Sequence, residues 1–160
     1  MALHDGNGWV WCRCGHRHWG LHGAAGLLLL HDGAADGREV LLQLRASWTH
    51  LGGRWGVPGG ARDSHEDVVT AALREAHEEV GLIAGDVCVV GSRAGTDHGD
   101  WRYTYVVGWA GSRIDLRVRG DETDQIRWVP LDLVADLPLH PALADAWPAL
   151  RADLAGLPAA

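Results

Sequence analysis

Phenylalanine and lysine are absent from this chain of 160 residues, and methionine occurs once. Without phenylalanine, the aromatic part of the core has to come mainly from nine tryptophans, with leucine and valine filling the rest. Without lysine, every one of the 14 basic residues is arginine; they face 21 acids, and the net charge is −7. That balance argues against a nucleic-acid polymer as partner, because a phosphate backbone calls for a basic surface. Cysteine is sparse, and an odd count of 3 fits a reducing cytoplasm better than a disulfide scaffold. No apolar run approaches membrane-spanning length; Leu27–Leu30 is only strand-sized. The N-terminus, Met1-Ala2-Leu3-His4-Asp5, lacks the basic stretch and apolar segment of a signal peptide, so a cytoplasmic setting without membrane attachment is expected. A chain this long forms one domain and buries roughly 70% of its unfolded surface.

The most informative segment is Gly60–Leu82. Glu75, Glu78 and Glu79 crowd into five residues of an expected helix. Residues three and four apart share a helical face, so these carboxylates span roughly a quarter of the circumference. Three like charges repel, and apolar packing does not explain them. A divalent cation does: clustered hard oxygens suit Mg²⁺ or Mn²⁺. Ser64 followed by Asp67 resembles a capping box, which would place Glu66 and Asp67 in the first turn. Val69, Ala72, Leu73, Ala76 and Val80 form the buried stripe, with the carboxylates at its edge, and Gly81 ends the helix. Ahead of it, Val57-Pro58-Gly59-Gly60 allows a turn that brings backbone close to a metal or phosphate. Arg74 can orient a neighbouring carboxylate with its fixed fork of donors. An acidic helix face laced with salt bridges is the alternative for such a cluster taken alone.

Gly60, Glu66, Arg74-Glu75, Glu78-Glu79 and Gly81-Leu82 match the signature G-x5-E-x7-R-E-U-x-E-E-x-G-U, with Ala76 as a small occupant of the first aliphatic position. The chain thereby resembles the Nudix hydrolase family, MutT-like members above all. The likeness runs from about Gly23 to Pro130: Gly53–Gly60 is similar to the family's lead-in, and Glu122, six residues before Trp128, is similar to its late loop glutamate. The resemblance implies an α/β/α sandwich with a mixed β-sheet. It also implies Mg²⁺-dependent cleavage of a pyrophosphate bond in a nucleoside di- or triphosphate, or in a nucleoside diphosphate linked to another group. Metal ligands would be Gly60, Glu75, Glu78 and Glu79. Glu78 or Glu122 would be the general base, Arg74 would hold Glu75 or Glu78, and Glu66 would brace the loop. A small nucleotide stays compatible with the acidic net charge, because a bound metal supplies the local positive charge. Marker motifs of the dinucleotide-, ADP-ribose- and coenzyme-A-cleaving branches are missing, which leaves nucleoside triphosphates or related compounds. The rival class is a non-catalytic nucleotide sensor on the same fold, but sensors of that type lose box carboxylates and this box is whole.

Residues 1–22 are expected to be an N-terminal arm, 23–154 the hydrolase domain and 155–160 a flexible tail. Strands are expected at Gly26–His31, Glu39–Arg45, Asp86–Ser92, Tyr103–Trp109 and Ile126–Val129, with a turn at Gly33–Gly37 and a loop at Gly95–Asp100. A second helix is expected at Ala142–Leu154, interrupted or restarted at Pro148. In the arm, an extended chain would put Cys12, Cys14, His16 and His18 on one face. C-x-C with H-x-H on one strand does not easily wrap a tetrahedral ion, although Gly15 offers a bend, so structural zinc is not expected there. Cys88 reads as a small buried strand residue. Trp48, Trp55 and Trp101 are candidates to stack on a base, Trp101 first because it ends a polar loop; His98 and His50 sit in loops that can overhang the site. Arg45, at a strand end, is a candidate phosphate contact.

Overall fold

A computed structural model describes residues 4–33, 37–111 and 114–160. Its centre is β3 (Ala24–Gly33), whose run Ala24-Ala25-Gly26-Leu27-Leu28-Leu29-Leu30 is buried throughout. A strand covered on both faces reads as continuous apolar sequence, not as alternation. Successive side chains point to opposite sides. Leu27 and Leu29 therefore join one apolar cluster, while Leu28 and Leu30 join the other.

Around β3 a seven-stranded mixed sheet is built. It contains β4 (Gly37–Arg45), β5 (Trp55–Gly56), β6 (Gly59–Ala61), β7 (Val87–Asp97), β8 (Arg102–Ala110) and β9 (Thr123–Pro130). The main path runs β5-β4-β3-β8-β7, while β6 pairs with β3 and β9 with β4. Among the described residues only β3 and β8 run parallel; every other strand pairing in this sheet is antiparallel. Helix α1 (Val68–Val80) covers one face through Ala71, Ala72, Ala76 and Val80. Helix α2 (Pro141–Ala155) covers the other through Leu143, Trp147, Leu150 and Leu154. This is the α/β/α sandwich with a mixed sheet that the box led us to expect. Tryptophan does supply much of the aromatic core, through Trp55, Trp109 and Trp147 beside Tyr105. No helix among the described residues is long and apolar enough to cross a membrane.

Several local expectations change. The strands are longer than expected, and β7 runs on to Asp97, which shortens the Gly95–Asp100 loop. The expected turn at Gly33–Gly37 falls largely on 34–36, outside the described residues. The α1 cap is Asp67, not Ser64: its carboxylate accepts the Thr70 N–H at 2.7 Å, and the helix starts at Val68. Ser64 is taken by Asp5, which accepts both its N–H and its hydroxyl. Helix α2 passes unbroken through Pro148, because Ala144, whose carbonyl loses its partner there, occupies an exposed position open to water. At the end of α2, the carbonyl of Leu154 and, just beyond the helix, that of Leu157 both accept from Arg38. Cys88 is exposed, contrary to expectation: β7 is an edge strand that turns Val87 and Val89 to the core and Cys88 outward. A separate two-stranded hairpin, β1 (Trp9–Trp11) with β2 (Arg17–Trp19), precedes the main sheet.

Glycine is required where β3, β6 and β8 meet. A methyl group on Gly26 would collide with the Tyr103 hydroxyl and lie 2.7 Å from Val57 Cγ2. One on Gly59 would lie 2.5 Å from the Ala25 carbonyl oxygen. This contact sets the position of the strand that leads into the acidic helix. Gly26→Ala should therefore lower stability by about 1–3 kcal/mol. A thermal melt within error of the parent would show that the sheet can open there at no cost.

Candidate active site

Helix α1 is held at both ends by interactions that aim its acidic edge at the glycine-bearing strand β6. At its C-terminus Gly81 adopts the left-handed conformation, φ 73°, and its N–H bonds back to Ala76 and His77 carbonyls. The next two free carbonyls, of Glu79 and Val80, accept the N–H groups of Arg119 and Arg117. At its N-terminus the connection from β6 is fastened by Glu66, whose carboxylate accepts the Asp63 N–H at 3.0 Å.

Arg74 is the hub. Its Nε and Nη2 donate to the two oxygens of Glu66 at 2.7 and 2.9 Å, a bidentate pair. Nη1 donates to Glu75 at 2.8 Å and lies 3.5 Å from Glu78, and Nη2 also donates to the Ala61 carbonyl at 2.9 Å. One guanidinium thus joins strand, loop and helix. The Glu75 carboxylate lies directly over Gly60, where a Cβ would meet its carbon at 2.6 Å. Any side chain at 60 would displace that carboxylate. Glu79 is held differently: its Oε2 accepts the Gly59 N–H and the Gln43 side-chain amide, each at 2.9 Å. No guanidinium contacts it among the described residues, although Arg45 is near enough to act on it through charge.

These environments separate the carboxylates. The hydrogen bonds from Arg74 hold Glu66 below its usual range. Glu75 is pushed up by burial, with the charges of Glu78 and Glu66 adding to the effect and Arg74 opposing it. Glu79 is pushed up furthest, to about 8, by burial and by the Glu75 charge, against the Gly59 N–H, Gln43 and Arg45. Four carboxylates are thus gathered beside one guanidinium, which bonds Glu66 and Glu75, lies 3.5 Å from Glu78 and does not contact Glu79. The donors are hard oxygens and their mutual repulsion is only partly offset, which fits a divalent cation such as Mg²⁺ or Mn²⁺.

The structure brings Gly60, Glu66, Arg74, Glu75, Glu78 and Glu79 together. It also adds Gln43, which sequence reasoning missed. A glutamine inside the apolar run Val40–Leu44 was the available signal. Gln43 is buried and bridges Glu79 to the Thr123 hydroxyl, which donates to its Oε1 at 3.2 Å. Thr123 follows Glu122 directly, so this chain of bonds ties the start of β9 to the helix carboxylates. Glu122 itself is exposed, its carbonyl accepting from Ala46, and its side chain makes no hydrogen bond among the described residues. Arg45 sits near Glu79 and donates to the His50 carbonyl at 3.3 Å.

Trp101 does not belong to this site. It is buried, its indole N–H donates to the Gly20 carbonyl at 3.1 Å, and its ring stacks on His18 at 4.4 Å. It packs the hairpin onto the sheet and has no free face for a base. His98 likewise stacks on His18, at 4.9 Å. Trp55 is buried, whereas Trp48 is 64% exposed and donates its N–H to the Asp121 carbonyl, beside Glu122. Of the three tryptophans considered for stacking, Trp48 is the exposed one.

Residues 20–151 match the family model described as the NUDIX domain. The chain belongs to the Nudix hydrolase family. It is 47% identical over 161 residues to a protein of Mycobacterium tuberculosis called putative 8-oxo-dGTP diphosphatase 3, an alignment covering 98% of this chain and 74% of that one. A nucleoside triphosphate pyrophosphatase/Nudix hydrolase fusion protein of Bifidobacterium longum is 41% identical, over 93% of this chain but 32% of its own length. Among solved structures, a Nudix hydrolase from M. smegmatis, RenU, superposes with a TM-score of 0.89 at 43% identity, covering 97% of this chain and 99% of that one. As a Nudix pyrophosphohydrolase, the chain presents the acidic box intact.

The raised Glu79 has a measurable consequence. Its carboxyl titrates near 8 in the fold against an ordinary 4.5, so the folded, metal-free protein binds a proton that the unfolded chain releases. The stability linked to that proton is complete below about pH 4.5 and is lost as pH rises to about 8. In chelator, the Tm of the Nudix protein should fall across that window, and Glu79→Gln should fall less. Parallel pH profiles for the two proteins in calorimetry would refute the assignment.

Proposed function

We propose that this Nudix protein uses Mg²⁺, or Mn²⁺, to hydrolyse a pyrophosphate bond in a nucleoside triphosphate or related nucleotide. One observation carries the reading: Arg74 compensates Glu66 and Glu75 while Glu79 and the outer side of Glu78 are left for a cation. Glu75, Glu78 and Glu79 would hold it, with Gly60 leaving room for the Glu75 carboxylate. A divalent ion in that position offsets charge developing on the transferred phosphoryl group and acidifies an attacking water. Arg74 keeps the carboxylates in register. Arg45, with its charge directed toward the site, contacts substrate phosphate. The water's proton passes to Glu78 or Glu122. Glu78 stands at the exposed side of the cluster, and Glu122 stands on the segment that Gln43 and Thr123 tie to it.

The likeness to the mycobacterial protein makes an oxidised purine nucleoside triphosphate the first substrate to assay. The acidic net charge and the absence of lysine support a small nucleotide over a polymer, and three free cysteines accord with a cytoplasmic setting. The test is a panel of nucleoside triphosphates, nucleoside diphosphate conjugates and dinucleotides, assayed for phosphate or pyrophosphate release with and without Mg²⁺.

On the best substrate, Glu79→Gln should lower the rate at least about 10²-fold with the fold intact, a few kcal/mol of barrier. Near-parent activity in that variant would remove the cluster from catalysis.

Glu122→Gln should lower kcat more than it raises KM, because a loop glutamate makes its contact once substrate orders the site. The loss should be smaller than for Glu79→Gln, since the helix ligands remain. An unchanged kcat across the pH range would leave Glu78 as the base.

A further inference from the structure

The segment before residue 20 lies outside the matched family domain, yet it gathers its own set of metal-ligating groups. It is not one extended strand. β1 and β2 pair antiparallel, with Trp9 opposite Trp19 and Val10 opposite His18. The chain reverses between them at Cys12-Arg13-Cys14-Gly15. Gly15 takes a left-handed φ of 88°, its N–H donates to the Cys12 carbonyl at 3.0 Å, and the Cys12 N–H donates to the His16 carbonyl at 2.9 Å. The reversal carries Cys14 back over β2. Its Sγ lies 3.2 Å from His18 Nε2, and the ligand atoms of Cys12, Cys14 and His18 all lie within 4.8 Å of one another. This is the bend that an extended reading of C-x-C and H-x-H lacks.

We propose that Cys12 Sγ, Cys14 Sγ and His18 Nε2 bind a structural Zn²⁺ ion, distinct from the hard-cation site of the Nudix box. Two sulfurs and an imidazole are the donor set that selects zinc over Mg²⁺, and each separation is compatible with one tetrahedral ion after small adjustments. The Cys14 N–H donates to Cys12 Sγ at 3.3 Å, while burial and the Asp100 carboxylate, which accepts from that sulfur at 3.2 Å, keep Cys12 a thiol until an ion displaces the proton. His18 is fixed between Trp101 and His98, so its ring is oriented before any ion arrives. Three protein donors leave one corner. Asp100 is the nearest anionic group to fill it, with Oδ1 3.2 Å from Cys12 Sγ and Oδ2 accepting the Arg13 N–H at 3.1 Å. Zinc there joins the hairpin to the β7–β8 connection. It also steadies Trp9, which stands 5.9 Å edge-on from His50, the residue whose carbonyl receives Arg45. Binding exchanges two thiol protons for the ion, so it strengthens as pH rises.

The experiment is metal analysis of protein purified without chelator from zinc-supplemented medium. One zinc per chain is expected, retained in Glu79→Gln and lost in Cys12→Ser and in Cys14→Ser. Zinc-free parent protein that takes up none on incubation with Zn²⁺ would overturn the site, as would undiminished zinc in both serine variants. Should those variants fail to fold, two measurements on the parent decide. Cobalt(II) should give thiolate charge-transfer absorption saturating at one equivalent. A thiol reagent should modify only exposed Cys88 quickly while zinc is bound, and exposed Cys14 as well after zinc is stripped, Cys12 being buried in either case. No charge-transfer band, or a Cys14 that reacts equally fast with and without zinc, refutes the proposal.

Discussion

The fork of Arg74 on Glu66, Glu75 and the Ala61 carbonyl is the interaction on which the site depends. It works because its partners come from three pieces of chain that would otherwise be independent: the end of β6, the connecting loop and the helix. A lysine could supply the charge but not the planar geometry that reaches all three. The cost of bringing Glu75, Glu78 and Glu79 together is offset there locally, and only in part. What is left over is concentrated at Glu79, whose polar partners are an amide N–H and a glutamine, with Arg45 acting at longer range. Uneven neutralisation is what suits the cluster to the cation proposed for it and distinguishes it from a salt-bridged helix face.

That fork would have nothing to brace against without the close approach of β6 to β3. Three glycines make it possible, Gly26 on one strand and Gly59 and Gly60 on the other. The same glycines leave the Gly59 N–H directed at Glu79 and clear the space that the Glu75 carboxylate fills. Behind them, β3 is buried on both faces, so the strand is held by the packing of two helices at once. Helical packing on α1 then sets where its acidic edge emerges. Position follows from the apolar core, and charge compensation refines it.

Much of this was legible because it is local. The spacing of Gly60, Glu66, Arg74, Glu75, Glu78 and Glu79 encodes one helix and one turn, and a run such as Leu27–Leu30 announces a strand covered on both sides. What was not legible depends on contacts across the chain. Ser64 looks like a cap, but Asp5, fifty-nine residues earlier, claims it, and Asp67 caps instead. Trp101 follows a polar loop, yet a residue eighty-one positions away gives its indole a buried acceptor. Cys88 sits in a strand pattern, but only sheet order reveals that the strand is an edge. Gln43 shows the converse: a polar residue in an apolar run has to find a buried partner, and here the partner is the site itself.

The N-terminal hairpin is where these two kinds of information meet. Its ligand residues are adjacent in sequence, so local spacing alone invited a judgement about zinc. That judgement weighed an extended chain against a bend at Gly15, and the structure shows the bend. The hairpin's geometry is set from a distance, by Trp101 and Asp100 on the β7–β8 connection, which pack against His18 and Cys12. The same loop that was a candidate lid over the substrate is therefore committed to the opposite task. It docks a small soft-ligand cluster onto the sheet, and exposed Trp48 is bonded instead to the Asp121 carbonyl, beside Glu122. Two ligand sets of different hardness, one oxygen and one sulfur–nitrogen, can then occupy one small domain without competing for the same ion.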